Sequence, residues 1–218
     1  PLPGAPTGVW TIRRNRDDAA DAYIVVSFTN ATLVLAVGDA VEEVSDSGFS
    51  GGTRTLFAGA LADGSLVQAH PGGLRHVRAG GRGPVEWRAP GRRAVVAATS
   101  NGRQVALALA GGEVVAFELD GNAGGGGGEG GSGGSLLEVD RKEIGADVGA
   151  VDIPPVPEGR IRSRFLAVGA YDGTVRVLSL DPGDGLKALA VQATESPPES
   201  LLLLDALQQH PPPAPTHA

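Results

Sequence analysis

The chain has 218 residues, 41% of them hydrophobic and 20% charged, proportions ordinary for a folded globular chain. Its formal net charge of −7 argues against a surface that grips nucleic acid over its whole extent. With no Cys at all, disulfides, thiolate metal sites and cysteine nucleophiles are excluded.

In chain order, the first clear elements are two apolar strands, 22–28 (AYIVVSF) and 32–38 (TLVLAVG), which turn around Asn30. A charged strand with Glu42 and Glu43 follows, then the small apolar strand TLFAGAL at 55–61. The pattern repeats with SLVQAH and LRHVRA turning at Gly72-Gly73, then VEWRA and RAVVAAT. It repeats again with QVALALA and EVVAFEL at Gly111-Gly112, then LLEVDRKEI and DVGAVDI. A last hairpin, RFLAVGAY and TVRVLSL, turns at Asp172-Gly173 and is followed by LKALAVQA and SLLLLDA. Gly-Gly and Asp-Gly supply the positive φ angles of two-residue hairpin loops.

The first residues after the turns are Thr32, Leu74, Glu113 and Thr174, at spacings of 42, 39 and 61. A Gly-rich insert at 121–135 and a Pro/Arg-rich one at 154–162 hold 24 of the last 61, leaving 37. A period near forty with four strands per unit is the signature of a β-propeller. The third strand of each of the first three units carries charge (Glu86 and Arg88, Glu138 and Asp140), as an exposed edge should. The fourth is small and apolar, as a strand beside a ring axis should be, and opens the next unit. Within the hairpins the apolar residues run almost without alternation, which fits sheets covered on both faces. An antiparallel sandwich is the competing architecture, but it lacks the period and shows a polar outer face. The expected fold is therefore all-β, a partial β-propeller of about four blades. Its first unit is expected to lack an inner strand, and SLLLLDA to begin a further one. In that case Leu201–Leu204 face solvent. Residues 1–7 and the Pro-rich tail 208–218 read as disordered, with the propeller part at 8–207. Since no Met stands at position 1, the chain is expected to be a piece of something longer; its N-terminus shows no secretory signal.

Candidate sites are few. From Arg75 to Arg93 six arginines (Arg75, Arg78, Arg82, Arg88, Arg92 and Arg93) face one acid, Glu86, the best candidate for contact with RNA or an acidic protein surface. Trp87 alone accompanies them, and it reads as packing at an outer strand. Arg160, Arg162 and Arg164 follow Pro154-Pro155-Val156-Pro157 and could form a partner-binding finger, since exposed loops carry recognition. Solvated edges and soluble loops explain both groups as well. The glycine insert lacks the Lys and Ser or Thr of a phosphate loop, and His70, His76, His210 and His217 show no metal-ligand spacing. No nucleophile setting is present. A propeller glycosidase or lactonase would need carboxylates or metal ligands gathered on the inner strands. Asp147 and Asp152 stand almost alone there. No cofactor is expected.

The stretch GVWTIRRNRDDAADAYIVVSFTNATLVLAVGDAVEEVSDSGF at 8–49 closely resembles the family of the third subunit of the splicing factor 3b complex, large triple-propeller proteins. So do LVQAHPGGLRHVRA, VEWRAPG, RQVALALAGGEVVAFELD and RSRFLAVGAYDGTVRVLSLDPGDGLKALAVQATESPPESL. The superfamily also includes the large subunit of the UV-damaged DNA-binding complex and the 160 kDa cleavage and polyadenylation factor. The resemblance implies roughly the first half of the middle, seven-bladed propeller of a non-enzymatic scaffold. It further implies a nuclear protein of the U2 small nuclear ribonucleoprotein (U2 snRNP), partnered by a HEAT-repeat subunit, with RNA contact indirect or weak and no membrane. The sister families imply a cullin-adaptor or DNA-damage-binding role as the alternative. The insert at 121–135 and the tail at 208–218 depart from the family pattern.

Overall fold

A computed structural model describes residues 4–13, 18–78, 80, 83–120 and 134–204. Arg82, most of the Gly-rich insert and the Pro-rich tail lie outside the described residues. Four four-stranded antiparallel sheets follow one another along the chain, each with its strands in sequence order. The first comprises β1 (Gly8–Ile12), β2 (Tyr23–Ser27), β3 (Thr32–Val37) and β4 (Val41–Glu43). The second comprises β5 (Phe57–Ala60), β6 (Leu66–His70), β7 (Gly73–Val77) and β8 (Val85–Arg88). The third holds β9 (Val95–Ser100), β10 (Gln104–Leu109), β11 (Glu113–Leu119) and β12 (Leu136–Glu143). The fourth holds β13 (Val148–Asp152), β14 (Phe165–Ala170), β15 (Thr174–Ser179) and β16 (Ala188–Ala193). A 3-10 turn at Pro90–Arg92 is the one helical element among the described residues. Among the described residues no helix is long and apolar enough to cross a membrane.

Two expectations about the ends are corrected. The first unit does have an inner strand: β1 pairs with β2 from Gly8↔Ser27 to Ile12↔Tyr23. It gave no hairpin signal because ten residues, not a two-residue turn, separate it from β2 in sequence. Conversely, residues 200–204 form no strand. They return along the bare face of the fourth sheet, where the Leu203 amide donates to Asp152 Oδ2 at 2.6 Å. Leu202 and Leu204 are exposed as expected, but Leu201 and Leu203 are half-buried.

The turns behave as the glycines dictate. Gly111 and Gly112 both have positive φ, 90° and 84°, the conformation that matches the twist of the strands they join. A Cβ on Gly112 would sit 2.3 Å from the Ala146 carbonyl oxygen, so the following loop also depends on this residue. At Gly73 the approach is tighter still, with a Cβ meeting Trp87 O at 2.0 Å.

The first strands β1, β5, β9 and β13 lie side by side, each touching the next, while β4, β8, β12 and β16 form the exposed outer edges. That is the radial order of propeller blades. The sheets do not close into a ring. Period-two geometry explains how the blades stack. On β10 and β11, Val105, Leu107, Leu109, Val115 and Phe117 face the second blade, joining Val67, Ala69 and Leu74. The intervening Ala106, Ala108, Val114 and Ala116 face the fourth blade, against Leu166, Val168 and Leu178. Both faces of this blade are apolar because both are covered. The joint between the first and second blades is smaller, built on Ile12, Val25, Val34, Phe49 and Ala58.

Candidate interaction surface

The described arginines of the 75–93 stretch take different directions. Arg75 and Arg78 lie on opposite faces of the second blade. Arg75 turns toward the first blade, where its Nε donates to Gly48 O at 2.6 Å and its guanidinium pairs with Glu86. Arg78 lies on the other side with Leu74 and Trp87, and donates to Gly83 O at 3.2 Å. Arg93 reaches the third blade, pairing with Glu143 at 2.8 Å and Glu113 at 3.4 Å. The hydrogen bond to Glu143 raises its pKa. Arg88 is exposed at the blade edge, and Arg92 sits exposed in the 3-10 turn with φ 57°. The positive charge of the described arginines thus points in several directions, Arg75 being paired within the stretch and Arg93 with acids far away along the chain. Trp87 packs edge-on against Phe117 at 5.1 Å and donates to Glu138 at 2.8 Å, so its ring is engaged in the blade joint.

The second arginine group divides differently. Arg164 forms a bidentate pair with Asp181, at 2.9 and 2.6 Å, and that pair raises the arginine's pKa and lowers the aspartate's. Arg162 pairs with Glu118 of the third blade at 3.1 Å. Arg160 makes no hydrogen bond or ion pair among the described side chains. Its own backbone closes a turn, donating to Pro157 O at 3.0 Å. Beside it Ile161 is 67% exposed.

This finger, 154–163, is held at both ends by the third blade. Gln104 donates to Ser163 O at 3.0 Å and accepts from Ser163 N at 2.7 Å. Asn101 donates to Pro154 O at 3.0 Å. Residues of the first-to-second strand connections of all four blades then surround an open cleft of about 900 Å³ at one end of the axis. Arg13, Asp63, Arg103 and Arg160 contribute to its wall.

Sequence reasoning passed over the polar joints. Between the first two blades, buried Gln68 donates to Ser50 O at 3.1 Å and Thr55 Oγ1 at 2.8 Å, and accepts from Ser50 N at 2.8 Å. Thr55 in turn meets Thr32 at 2.7 Å, and its amide donates to Ser27 Oγ at 3.0 Å. Within the second blade, His76 Nε2 lies 2.8 Å from Ser65 Oγ, whose hydroxyl donates to Asp63 at 2.5 Å. Burial lowers the His76 pKa. With its carboxylate on serine and not on histidine, the group is a structural lock, not a nucleophile. A lone Gln or Ser within an apolar strand is the signal that could have found these joints.

The inner-strand carboxylates are also in structural use: Asp147 accepts from Gly111 N at 2.8 Å, and Asp152 holds Leu203. His70 and His76 point to opposite faces, since His70 stands opposite Gly73 and His76 opposite Val67. No group of three potential metal ligands occurs among the described residues.

A family model described as the RSE1/DDB1/CPSF1 second beta-propeller matches residues 1–214. Among curated proteins, the chain is 54% identical over 204 residues to Spliceosome-associated protein 130 A of Arabidopsis thaliana. It is 49% identical over 205 residues to Splicing factor 3B subunit 3 of Danio rerio. It is likewise 49% identical over 204 residues to Pre-mRNA-splicing factor RSE1 of Pyricularia oryzae. These alignments take in 93–94% of this chain but 16% of each relative. With the matching family model and the four stacked blades, the chain belongs to the RSE1/DDB1/CPSF1 second β-propeller family.

Proposed function

We propose that the chain, its propeller part at residues 8–207, is a section of the middle propeller of a non-enzymatic scaffold for pre-mRNA splicing. In this reading it serves the nuclear splicing factor 3b complex of the U2 snRNP. The observation that carries it is identity near one half, across nearly the whole chain, to relatives named for splicing in a plant, a fish and a fungus. The structure supports a presenting role: covered blades give a stiff frame, and their connecting loops converge at one end. Partners would be the HEAT-repeat subunit and the other subunits of that complex, with RNA contact indirect or weak. Stable docking calls for roughly 800 Å² from each side, an area that several blade loops supply together.

The test is affinity purification of the whole protein carrying an epitope tag, with subunits identified by mass spectrometry. Co-purification of splicing factor 3b subunits and U2 snRNP proteins is expected. Recovery of a cullin scaffold in their place would overturn the assignment in favour of a ubiquitin-ligase adaptor.

A further inference from the structure

The finger at 154–163 and the cleft beside it combine three properties. The first is rigidity: three prolines, Pro154, Pro155 and Pro157, restrict the backbone, and Gln104 and Asn101 tie its ends to the third blade. The second is an apolar tip, Ile161, 67% exposed at the cleft rim. The third is uncommitted positive charge. Arg162 and Arg164 are neutralised by Glu118 and Asp181, whereas Arg160 and Arg103 line the cleft without an ion pair among the described residues, Arg160 feeling only the longer-range charge of Asp181.

We propose that this cleft is a docking site for a partner-protein segment that places one carboxylate between Arg103 and Arg160 and an apolar side chain on Ile161. The identity of the occupant follows from the rest of the wall. Asp21, paired with Arg13 at 3.8 Å, leaves that arginine unavailable, and Glu158 on the same wall disfavours a polyanion. Asp63 does not compete for the arginines, its carboxylate being filled by Ser65 and Gly134. Among the described residues no aromatic ring lines the cleft, so they offer a nucleic acid no surface on which to stack its bases. A single acid flanked by apolar groups fits where a phosphate chain does not. The finger is already fixed in place, so docking avoids the entropy of ordering it.

This site rests on the scaffold reading, yet its test does not need the splicing complex, so either can fail alone. The full chain, labelled with nitrogen-15, is titrated with acetylated and amidated leucyl-glutamyl-leucine and followed by amide chemical shifts. Saturable shifts are expected at Gly102, Arg103, Gly159 and Ile161. The glutaminyl counterpart should bind roughly tenfold more weakly, as expected for loss of a charge-assisted pair. Arg160→Glu, at a side chain without contacts to lose, should abolish the shifts while leaving the rest of the spectrum in place; Ile161→Asp should weaken them. Equal affinity for the glutaminyl peptide, shifts located elsewhere or none at all, or preferential binding of oligouridylate would each overturn the proposal.

Discussion

The third blade and the first are built on the same four-strand plan, but one is enclosed and the other has a bare side. All six residues of β10 are buried, whereas β3 alternates between buried and half-exposed positions and ends on exposed Val37. The joint between the second and third blades has the larger apolar cluster, with Val67, Leu74, Val105, Leu107, Leu109, Val115 and Phe117 at its centre. That between the first and second adds the Gln68, Thr55, Thr32 and Ser27 network to a handful of apolar side chains. Stability in a stacked array comes largely from neighbour contacts, so position in the stack, more than residue type, sets what a substitution costs.

The largest effect should follow from Leu107→Ala. Leu107 is fully buried against the second blade, so a cavity there should cost about 2–5 kcal/mol. The matched change Val37→Ala, at a 41% exposed site of the first blade, should stay within roughly 0.5 kcal/mol. Urea denaturation of both variants measures the contrast. Equal losses would mean that enclosure between neighbours is not what stabilises the third blade. Amide exchange sharpens the same comparison: amides of β10 and β11 should exchange slowest, and outward-facing ones of β4 and β16 fastest.

Next in size is Gln68→Leu. It keeps the bulk but strands the Ser50 amide and carbonyl and one Thr55 contact, and should cost roughly 1–3 kcal/mol. Urea denaturation again reads it. If the change proves neutral, the polar network contributes no net stability and the first joint is held by its few apolar contacts alone.

The stack was legible in sequence because its cause is local. Gly111-Gly112 and Asp172-Gly173 announce their turns, and unbroken apolar runs such as QVALALA announce a sheet covered twice. Strand β1 was missed because GVWTI alternates and stands ten residues from its partner, so nothing nearby reveals the pairing. The basic stretch is the opposite case: sequence shows Arg75 and Arg78 as neighbours, while the sheet puts them on opposite faces. Arg75 finds its acid, Glu86, within the stretch, whereas Glu113 and Glu143, the acids of Arg93, come from strands that only the fold brings near. In the finger, sequence offered Arg160, Arg162 and Arg164 as equals, and only three-dimensional pairing distinguishes Arg160 from the two that are neutralised.

The smallest expected effect concerns pH and the second blade's internal lock. Burial lowers the His76 pKa from its ordinary 6.5, opposed by Asp63 and reinforced by Arg78. The unfolded chain therefore takes up a proton at this site at a higher pH than the folded one does. Stability from the neutral ring is fully present above the unfolded pKa and is lost as pH falls through the window below about 6.5 toward the folded value. The lowered aspartates Asp172 and Asp181 lose their contributions only in the acid range below that window. Between pH 7.5 and 5.5 the melting temperature of the chain should accordingly fall more than that of His76→Gln, which can still donate to Ser65 but cannot titrate. Because His76 sits in the second blade, away from both bare faces, parallel pH slopes for the two proteins would show that unfolding takes up no proton at His76 in this range and that the buried lock does not set the chain's acid sensitivity.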